Sequence, residues 1–140
     1  MDEARTCGMG FMTNVFIRIN TPELRQELEN LGYKKSKFYS DDIPGDWLLC
    51  NSKDYKGNII KGEYIDFCED EIDLDETLGD YGIDCGINTD LFLAISALRN
   101  DTDKDQWFTD GEKWYKSRSK KVPRVRFHKA TIEELIKNFK

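Results

Sequence analysis

The chain has 140 residues, of which 34% are charged and 12% are aromatic, and its formal net charge is −6. This length allows one domain with a sizeable core and is too short for two domains that each have a core of that size. The composition excludes a disordered chain. The longest apolar runs are only a few residues, and residues 1–11 lack the basic start and apolar run of a secretory signal. We therefore expect a cytoplasmic protein with no membrane partner.

The first elements are predicted at the start of the chain. Residues 1–11 show no hydrophobic period, so we expect a poorly ordered N-terminal extension, followed by a single domain over residues 12–140. The run "NVFIRI" is strand-like. Thr21 before Pro22 predicts a helix start, because the hydroxyl can cap the helix and proline suits its first turn. Gly32 predicts the end of that helix, since glycine readily takes the left-handed conformation.

A hairpin and a buried helix follow. The runs "DWLLCN" and "NIIKGEYIDFC" are strand-like on either side of a turn at residues 56–58. The run "YGIDCGI" predicts another strand, which leads into a helix starting at Asn88. That helix, "DLFLAISALRN", is apolar nearly all round, so we expect it to be central and buried. The residues expected in the core are Leu91, Phe92, Ile95 and Leu98.

The last strand and helix lie near the end of the chain. The run "PRVRFH" is strand-like, and Thr131 and Glu134 have the spacing of a helix capping box. The order of helices and strands predicts an α+β fold, a single domain in which three helices pack on a mostly antiparallel sheet.

The four cysteines lie singly along the chain, at Cys7, Cys50, Cys68 and Cys85. No two have the close spacing of a zinc knuckle or a redox pair. Three of them stand among apolar residues in strand-like runs, as buried free thiols do. We predict no disulfide, no metal site and no cofactor.

Three segments resemble small uncharacterised proteins carried by phages and mobile elements of gut bacteria. They are "NVFIRINTPELRQELENLGYK", "CGINTDLFLAISALRNDTDKDQWF" and "FHKATIEELIKNF", near the beginning, middle and end of the chain. The resemblance implies a fold and a genomic setting. Because the segments contain helix starts and no active-site motif, it implies no reaction and no catalytic residue.

The stretch "NDTDKDQWFTDGEKW" at residues 100–114 has the spacing of a calcium loop. Asp101, Asp103 and Asp105 alternate, and Glu112 is the twelfth residue counted from Asp101. The sixth position is Gln106, however, where such a loop needs glycine for its sharp turn. This mismatch argues against calcium.

The same stretch is also typical of a β-hairpin. With Asp110-Gly111 as a two-residue turn, Thr109 pairs with Glu112, and Trp107 falls opposite Trp114 on one face. We predict the hairpin, with the three aspartates in the polar exit from the buried helix.

Residues 62–98 contain eleven acidic residues and no lysine or arginine. We call residues 66–80 the acidic segment. Such a run is usually a solvated loop, but Ile72, Leu74 and Leu78 are interleaved with the acids and suggest an ordered surface element. Spaced carboxylates on a folded surface can imitate phosphates and occupy a basic groove of a partner. The candidate partner-binding residues are Asp66, Glu69, Asp70, Glu71, Asp73, Asp75, Glu76 and Asp80.

Residues 113–129, which we call the basic-aromatic segment, contain eight lysines and arginines and no acidic residue. Cations beside stacking rings are what a nucleic-acid groove uses. The alternative is a long connection that is kept soluble by its charge. The candidate nucleic-acid-binding residues are Lys113, Trp114, Tyr115, Lys116, Arg118, Lys120, Lys121, Arg124 and Arg126.

His128 is the single histidine, and its position before the capping box predicts a partly exposed residue at a strand end. No serine stands in a nucleophile elbow, and no glycine-rich phosphate loop follows a strand. We therefore expect a protein that is not an enzyme.

The preferred interpretation is a small interaction protein, encoded by a phage or mobile element, that inhibits a host macromolecule through the acidic segment. The expected partner is a host protein, in particular one that binds nucleic acid, as in proteins that counter bacterial defence. A nucleic-acid-binding module that uses the basic-aromatic segment is the alternative. An unrecognised enzyme is the third.

Overall fold

The computed structural model describes residues 11–36, 45–53, 59–67, 73–79, 82–123 and 126–140. These residues form a five-stranded sheet, a three-stranded sheet and helices. The predicted α+β class with mostly antiparallel pairing is confirmed. Across these ranges, none of the helices combines the length and the hydropathy needed to cross a bilayer.

The five-stranded sheet has the order β2-β4-β3-β1-β5. Its strands are β1 (Val15–Ile17), β2 (Lys34–Lys35), β3 (Trp47–Lys53), β4 (Ile59–Phe67) and β5 (Ile83–Asp84). β3 and β4 form the predicted antiparallel hairpin, whose turn at residues 56–58 lies outside the described residues. The two edge strands, β2 and β5, run parallel to their neighbours and make the sheet mixed.

The helices are α1 (Pro22–Leu31), α2 (Leu74–Leu78), α3 (Thr89–Ser96) and α4 (Ile132–Phe139). The three predicted helices are α1, α3 and α4. The five-residue helix α2 lies in the acidic segment and was not predicted as a helix.

Local capping explains where the three longer helices begin and end. The Thr21 hydroxyl accepts a hydrogen bond from the Leu24 N–H at 3.1 Å, and Asn88 caps α3 in the same way. Thr131 and Glu134 form the predicted capping box of α4. Gly32 ends α1 with a φ of 110°, a conformation that favours glycine. The predicted helix starts and the end of α1 are confirmed because caps depend on neighbours in sequence, whereas α3 ends at Ser96, before the end of the predicted run at Asn100.

The three-stranded sheet has the order β7-β6-β8 and is antiparallel. Its strands are β6 (Trp107–Thr109), β7 (Trp114–Lys116) and β8 (His128–Lys129). The strand predicted over residues 123–128 is thus seen at 128–129, and residues 124–125 lie outside the described residues.

The two faces of the five-stranded sheet carry different cores, because neighbouring side chains of a strand point to opposite faces. Val15 and Ile17 of β1 join the larger core with α1, α3 and α4, and the three-stranded sheet packs against the same core. Phe16, between them, belongs to a smaller core that is covered by Leu74 and Leu78 of α2. The domain is therefore layered, with α2 on one side of the sheet and the other helices and the second sheet on the other.

The predicted central helix is confirmed as the middle of the larger core. Leu91, Phe92, Ile95 and Leu98 are all at most 4% exposed. Tyr33 is also buried, and its hydroxyl donates a hydrogen bond to the Ser96 carbonyl at 2.9 Å, which ties the end of α1 to α3.

Phe11, which the sequence assigned to the extension, packs on the domain. Its ring stacks on Tyr33 at a centroid distance of 4.1 Å and lies under the guanidinium of Arg99. Gly62 of β4 has a φ of 62°, and a Cβ there would lie 2.7 Å from the Phe11 ring, so only glycine admits this ring. Residues 1–10, the rest of the predicted extension, are outside the described residues.

Cys50 and Cys85 are free and buried, as predicted. Burial raises the pKa of the Cys85 thiol to about 12, so the thiol stays protonated and unreactive at neutral pH. Cys7 and Cys68 lie outside the described residues.

Candidate functional site

The hairpin predicted from the stretch at residues 100–114 is confirmed, but its register differs. Thr109 pairs with Trp114 and not with Glu112, so the loop has four residues, 110–113. Trp107 and Trp114 remain in contact, with ring centroids 6.5 Å apart at 63°, but as diagonal neighbours. Trp107 lies opposite Lys116.

Side-chain hydrogen bonds explain the longer loop. One carboxylate oxygen of Asp110 accepts from the N–H groups of Glu112 and Lys113, both at 2.9 Å. The Thr109 hydroxyl accepts from the Gly111 N–H and donates to the Lys113 carbonyl. These bonds satisfy the backbone groups of a four-residue loop, which a two-residue turn rule does not consider. They also lower the pKa of Asp110, because its backbone donors favour the carboxylate.

A lysine ammonium fills the loop that has calcium-like spacing. The Nζ of Lys129 donates to the carbonyls of Thr102 at 2.8 Å and Arg99 at 3.0 Å, and it lies 3.3 Å from an Asp103 carboxylate oxygen. The other Asp103 oxygen accepts from the Val122 N–H at 2.7 Å. These oxygen atoms therefore surround a cation that belongs to the protein.

Two further side chains hold this loop closed. Asp101 makes a bidentate ion pair with Arg99, at 2.9 and 2.7 Å, and this pairing lowers the pKa of Asp101. Gln106, where a calcium loop would need glycine, is 1% exposed and is hydrogen bonded to the backbone of Ala97, Arg99 and Lys104. Within the described ranges, no group of three or more potential ligand side chains is placed to hold a metal ion.

The acidic segment is divided by the sheet. Asp66 shares the β4 face of Tyr64, opposite the face that α2 covers, and its side chain is only 7% exposed. One Asp66 oxygen lies 3.2 Å from the Lys35 ammonium, and the other is buried with no hydrogen bond to any residue that the structure describes. Asp66 therefore does not belong to a solvent-facing array of carboxylates.

The described remainder of the acidic segment is α2 and its start. Leu78 is buried and Leu74 is half-buried against the smaller core, while Asp73 and Asp75 are exposed. The interleaved leucines thus hold an ordered surface element, as their spacing suggested. The other candidates lie outside what the structure describes, as whole residues or as side chains: Glu69, Asp70, Glu71, Glu76 and Asp80.

The basic-aromatic segment presents one exposed ring and six exposed cations. Tyr115 is 37% exposed, stacks on buried Phe108 with ring centroids 5.6 Å apart, and meets Phe127 edge-on at 5.2 Å. The exposed cations of this segment are Lys113, Lys116, Arg118, Lys120, Lys121 and Arg126. We call these six residues and Tyr115 the basic-aromatic surface, of which Lys116 lies at the edge, on the opposite face of β7 from Tyr115.

Two candidates of the basic-aromatic segment do not join this surface. Trp114 is half-buried on the core side of the three-stranded sheet, in edge contact with Trp107 and Phe139. Arg124 is outside the described residues. The rings that the sequence placed together are thus divided between two faces, as strand alternation requires.

His128 is a partly exposed residue at a strand end, as predicted. Its side chain is 53% exposed, and its Nε2 lies 2.9 Å from the Glu134 carboxylate. The Thr131 N–H donates to the same carboxylate, and this bond together with His128 lowers the pKa of Glu134. The histidine therefore supports the start of α4.

A groove that the sequence did not suggest lies between α1, α3, α4 and the β6–β7 hairpin. Its residues come from five elements that are distant in the chain, so no spacing in the sequence connects them. The sequence analysis had singled out Asp105, Trp107 and Lys116, but each for another feature. Asp105 is also the one non-glycine residue in the described ranges with positive φ, at 65°.

No family model, curated protein or solved structure matches this chain. The resemblance to proteins of phages and mobile elements stays a prediction.

Proposed function

We propose that this protein is a nucleic-acid-binding module that contacts a single strand through the basic-aromatic surface. The observation that carries the proposal is that the cations of this surface are not neutralised by acidic side chains. Among the described residues, none of the six cations lies in an ion pair with a carboxylate, so all six are available to phosphates.

The electrostatic attraction of phosphates to this surface is local. A net charge of −6 repels a polyanion at long range, but the Debye length in physiological salt is about 8 Å. The acids of α2 lie on the far side of the five-stranded sheet, so they are largely screened from this surface. Phosphates that approach the Tyr115 face of the three-stranded sheet are therefore not repelled by α2.

The aromatic part of the surface favours single strands. Tyr115 packs against Phe108 and Phe127, which restrict the position of its ring. The ring therefore loses little conformational freedom when a base stacks on it. A base can stack on such a ring whatever its sequence, and each stacked base contributes about 1–3 kcal/mol. Paired bases in a duplex are already stacked and gain less.

The experiment is a salt titration of binding to fluorescein-labelled single-stranded oligonucleotides of about 12 nucleotides, DNA and RNA, measured by anisotropy. We expect binding at about 50 mM salt that weakens steeply as salt rises. The Arg118→Gln/Lys121→Gln variant should bind more weakly and reduce the salt slope by about 1 to 2. Tyr115→Leu should weaken binding at every salt concentration and leave the slope unchanged.

The matched control is Lys34→Gln/Lys137→Gln, which changes the net charge equally at exposed lysines outside this surface. It should bind like the wild type. Equal losses in both double variants would show a general charge effect, and no binding at about 50 mM salt would contradict the proposal.

A second candidate function is supported by α2. Because Leu74 and Leu78 anchor this helix, Asp73 and Asp75 are held at fixed positions on the surface, as a phosphate mimic requires. The protein would then inhibit a basic, nucleic-acid-binding host protein, consistent with the phage or mobile-element setting. This candidate predicts that the protein is not retained on nucleic acid at low salt. It also predicts that the Asp73→Asn/Asp75→Asn variant no longer inhibits the partner protein.

A further inference from the structure

The groove between α1, α3, α4 and the β6–β7 hairpin has an apolar floor and charged edges. Its volume is about 390 Å³, at the lower end of the range for ligand pockets. Leu93 of α3, Trp107 of β6 and Phe139 of α4 contribute apolar surface to the floor. Trp107 and Phe139 meet edge-on with ring centroids 5.4 Å apart, so the floor is rigid.

The edges of the groove are mostly acidic. Glu27 of α1, Asp90 of α3 and Asp105 before β6 contribute carboxylates, and Lys116 is a cation on the other side. In the described part of the chain, the three carboxylates form no ion pair. Carboxylates beside an aromatic floor suit a lysine or arginine side chain, whose stem packs on the rings and whose charge meets the acids.

A second groove of about 360 Å³ continues the first, because both are lined by Ala97 and Asp105. Among the residues that the structure describes, most unpaired charges in this second groove are positive, whereas most in the first groove are negative. Lys104 and Lys120 line it without ion pairs within the described ranges, whereas Asp101 is already paired with Arg99. We call the two adjoining grooves together the trench, whose first groove is mostly acidic and whose second groove carries the unpaired lysines.

We propose that this trench binds an extended peptide segment of a partner protein. The segment has a basic residue beside an apolar one in the first groove and an acidic residue a few positions further along in the second. Two adjoining grooves of opposite charge favour a chain that reaches from one to the other over a compact small molecule, and these charges determine the orientation of the segment. The trench shares Lys116 and Lys120 with the basic-aromatic surface, but it lies on the Trp107 face of the three-stranded sheet and Tyr115 points to the opposite face, so variants of Glu27, Asp105 and Tyr115 separate the two proposals.

The test uses a fluorescein-labelled octapeptide with an arginine beside a leucine near one end and an aspartate four residues further on, so that its side chains are neutral overall. A peptide of the same composition in scrambled order is the control for general attraction to an acidic protein. We expect measurable binding of the first peptide by anisotropy and at least about fivefold weaker binding of the scrambled one.

Charge reversal at the trench gives the second arm. Glu27→Lys changes an exposed residue at the acidic end, and Asp75→Lys changes the net charge equally on α2, across the five-stranded sheet. We expect Glu27→Lys to weaken peptide binding about tenfold and Asp75→Lys to leave it within about twofold. Asp105→Asn, which tolerates the left-handed backbone, should weaken binding without unfolding the loop.

A spectroscopic measurement locates the bound peptide. The indole signal of Trp107 should shift on titration, while that of Trp47, in the smaller core, should not. The proposal is overturned if the scrambled peptide binds equally well, if both lysine variants lose binding equally, or if no peptide binds. Oligonucleotide binding by the same wild-type preparation is measured separately, so that the two proposals succeed or fail independently.

Discussion

The acidic segment and the basic-aromatic segment are both runs of charge in the sequence, but the fold uses them differently. In the first, Asp66 points to the larger-core side of the sheet and pairs with Lys35, and α2 is anchored by two leucines. In the second, six cations are exposed and unpaired among the described residues. A run of like charges therefore does not by itself define a surface, since strand alternation and packing decide which charges reach solvent.

The two segments also depend on cores of different size. The basic-aromatic segment rests, through β6, on the larger core, whereas α2 rests on the smaller core. Fewer apolar contacts lower the free energy needed for local opening. The acidic side should thus open more easily than the basic side.

The largest expected effect is in the larger core. Ile95 of α3 is 1% exposed and lies in the larger core, against which both sheets pack. Ile95→Asp places an unpaired charge there. We expect a loss of more than about 4 kcal/mol, enough to unfold a typical domain. Circular dichroism and urea denaturation measure it, and a cooperatively folded variant would show that the larger core does not govern stability.

Another large effect concerns the ammonium that joins β8 to the loop before β6. Lys129→Met removes a cation beside the nearly buried Asp103 carboxylate and the charged donor to the carbonyls of Arg99 and Thr102. We expect a loss of about 3 kcal/mol, because the two carbonyls lose a charge-assisted hydrogen bond each and the carboxylate loses a neighbouring cation. Chemical denaturation gives the value.

Two comparisons make the Lys129 result specific. Lys116→Met removes an exposed lysine that has no ion pair in the described ranges, and it should change stability by less than about 0.5 kcal/mol. Calcium at millimolar concentration should leave the melting temperature of the wild type unchanged, since the ammonium occupies the loop. A calcium-dependent rise that Glu112→Gln abolishes would restore the calcium loop.

A pair of leucine substitutions compares the two cores directly. Leu28→Ala in α1 should cost about 3–4 kcal/mol, and Leu78→Ala in α2 about 1–2 kcal/mol, because the smaller site can collapse or unfold locally. Hydrogen exchange in Leu78→Ala should rise in α2 and stay unchanged in α3. Equal losses, or protection lost in both helices, would show that the two cores are one cooperative unit.

The smallest expected effect is the pH dependence of the α4 cap. The backbone N–H of Thr131, with His128, holds the pKa of Glu134 below its usual range. The folded-state pKa is thus below the unfolded value of about 4.3, so the stabilisation is present above that pH and is lost as pH falls through the folded pKa. Since the carboxylate is partly exposed, we expect less than about 1 kcal/mol.

The measurement is urea denaturation between about pH 3 and pH 7 for the wild type and Glu134→Gln. The difference between the two should shrink as the solution is acidified. Glu133→Gln, on the same helix turn but without a capping hydrogen bond, should show no such trend. If the difference in unfolding free energy between wild type and Glu134→Gln stays constant with pH, the charge of Glu134 does not stabilise the cap.

Much of the local structure could be predicted because its causes are close in sequence. Thr21, Asn88 and Thr131 cap their helices through backbone groups three residues away, and the apolar pattern of α3 required a buried position. The hairpin could be predicted, but its register could not. The turn rule counts two residues, whereas hydrogen bonds from Asp110 and Thr109 stabilise four.

What the sequence determined by itself is most of the elements (all but β2 and α2), the α+β class and the burial of α3, since each follows from capping, alternation or hydrophobic period along a few residues. Only the tertiary structure decided which charged residues lie next to each other. Lys129 and Asp103 meet 26 residues apart, and Glu27, Asp90 and Asp105 share a groove through three different elements. Ion pairs and grooves depend on distance in space, and the chain order of charged residues does not encode that distance until the sheets and helices pack.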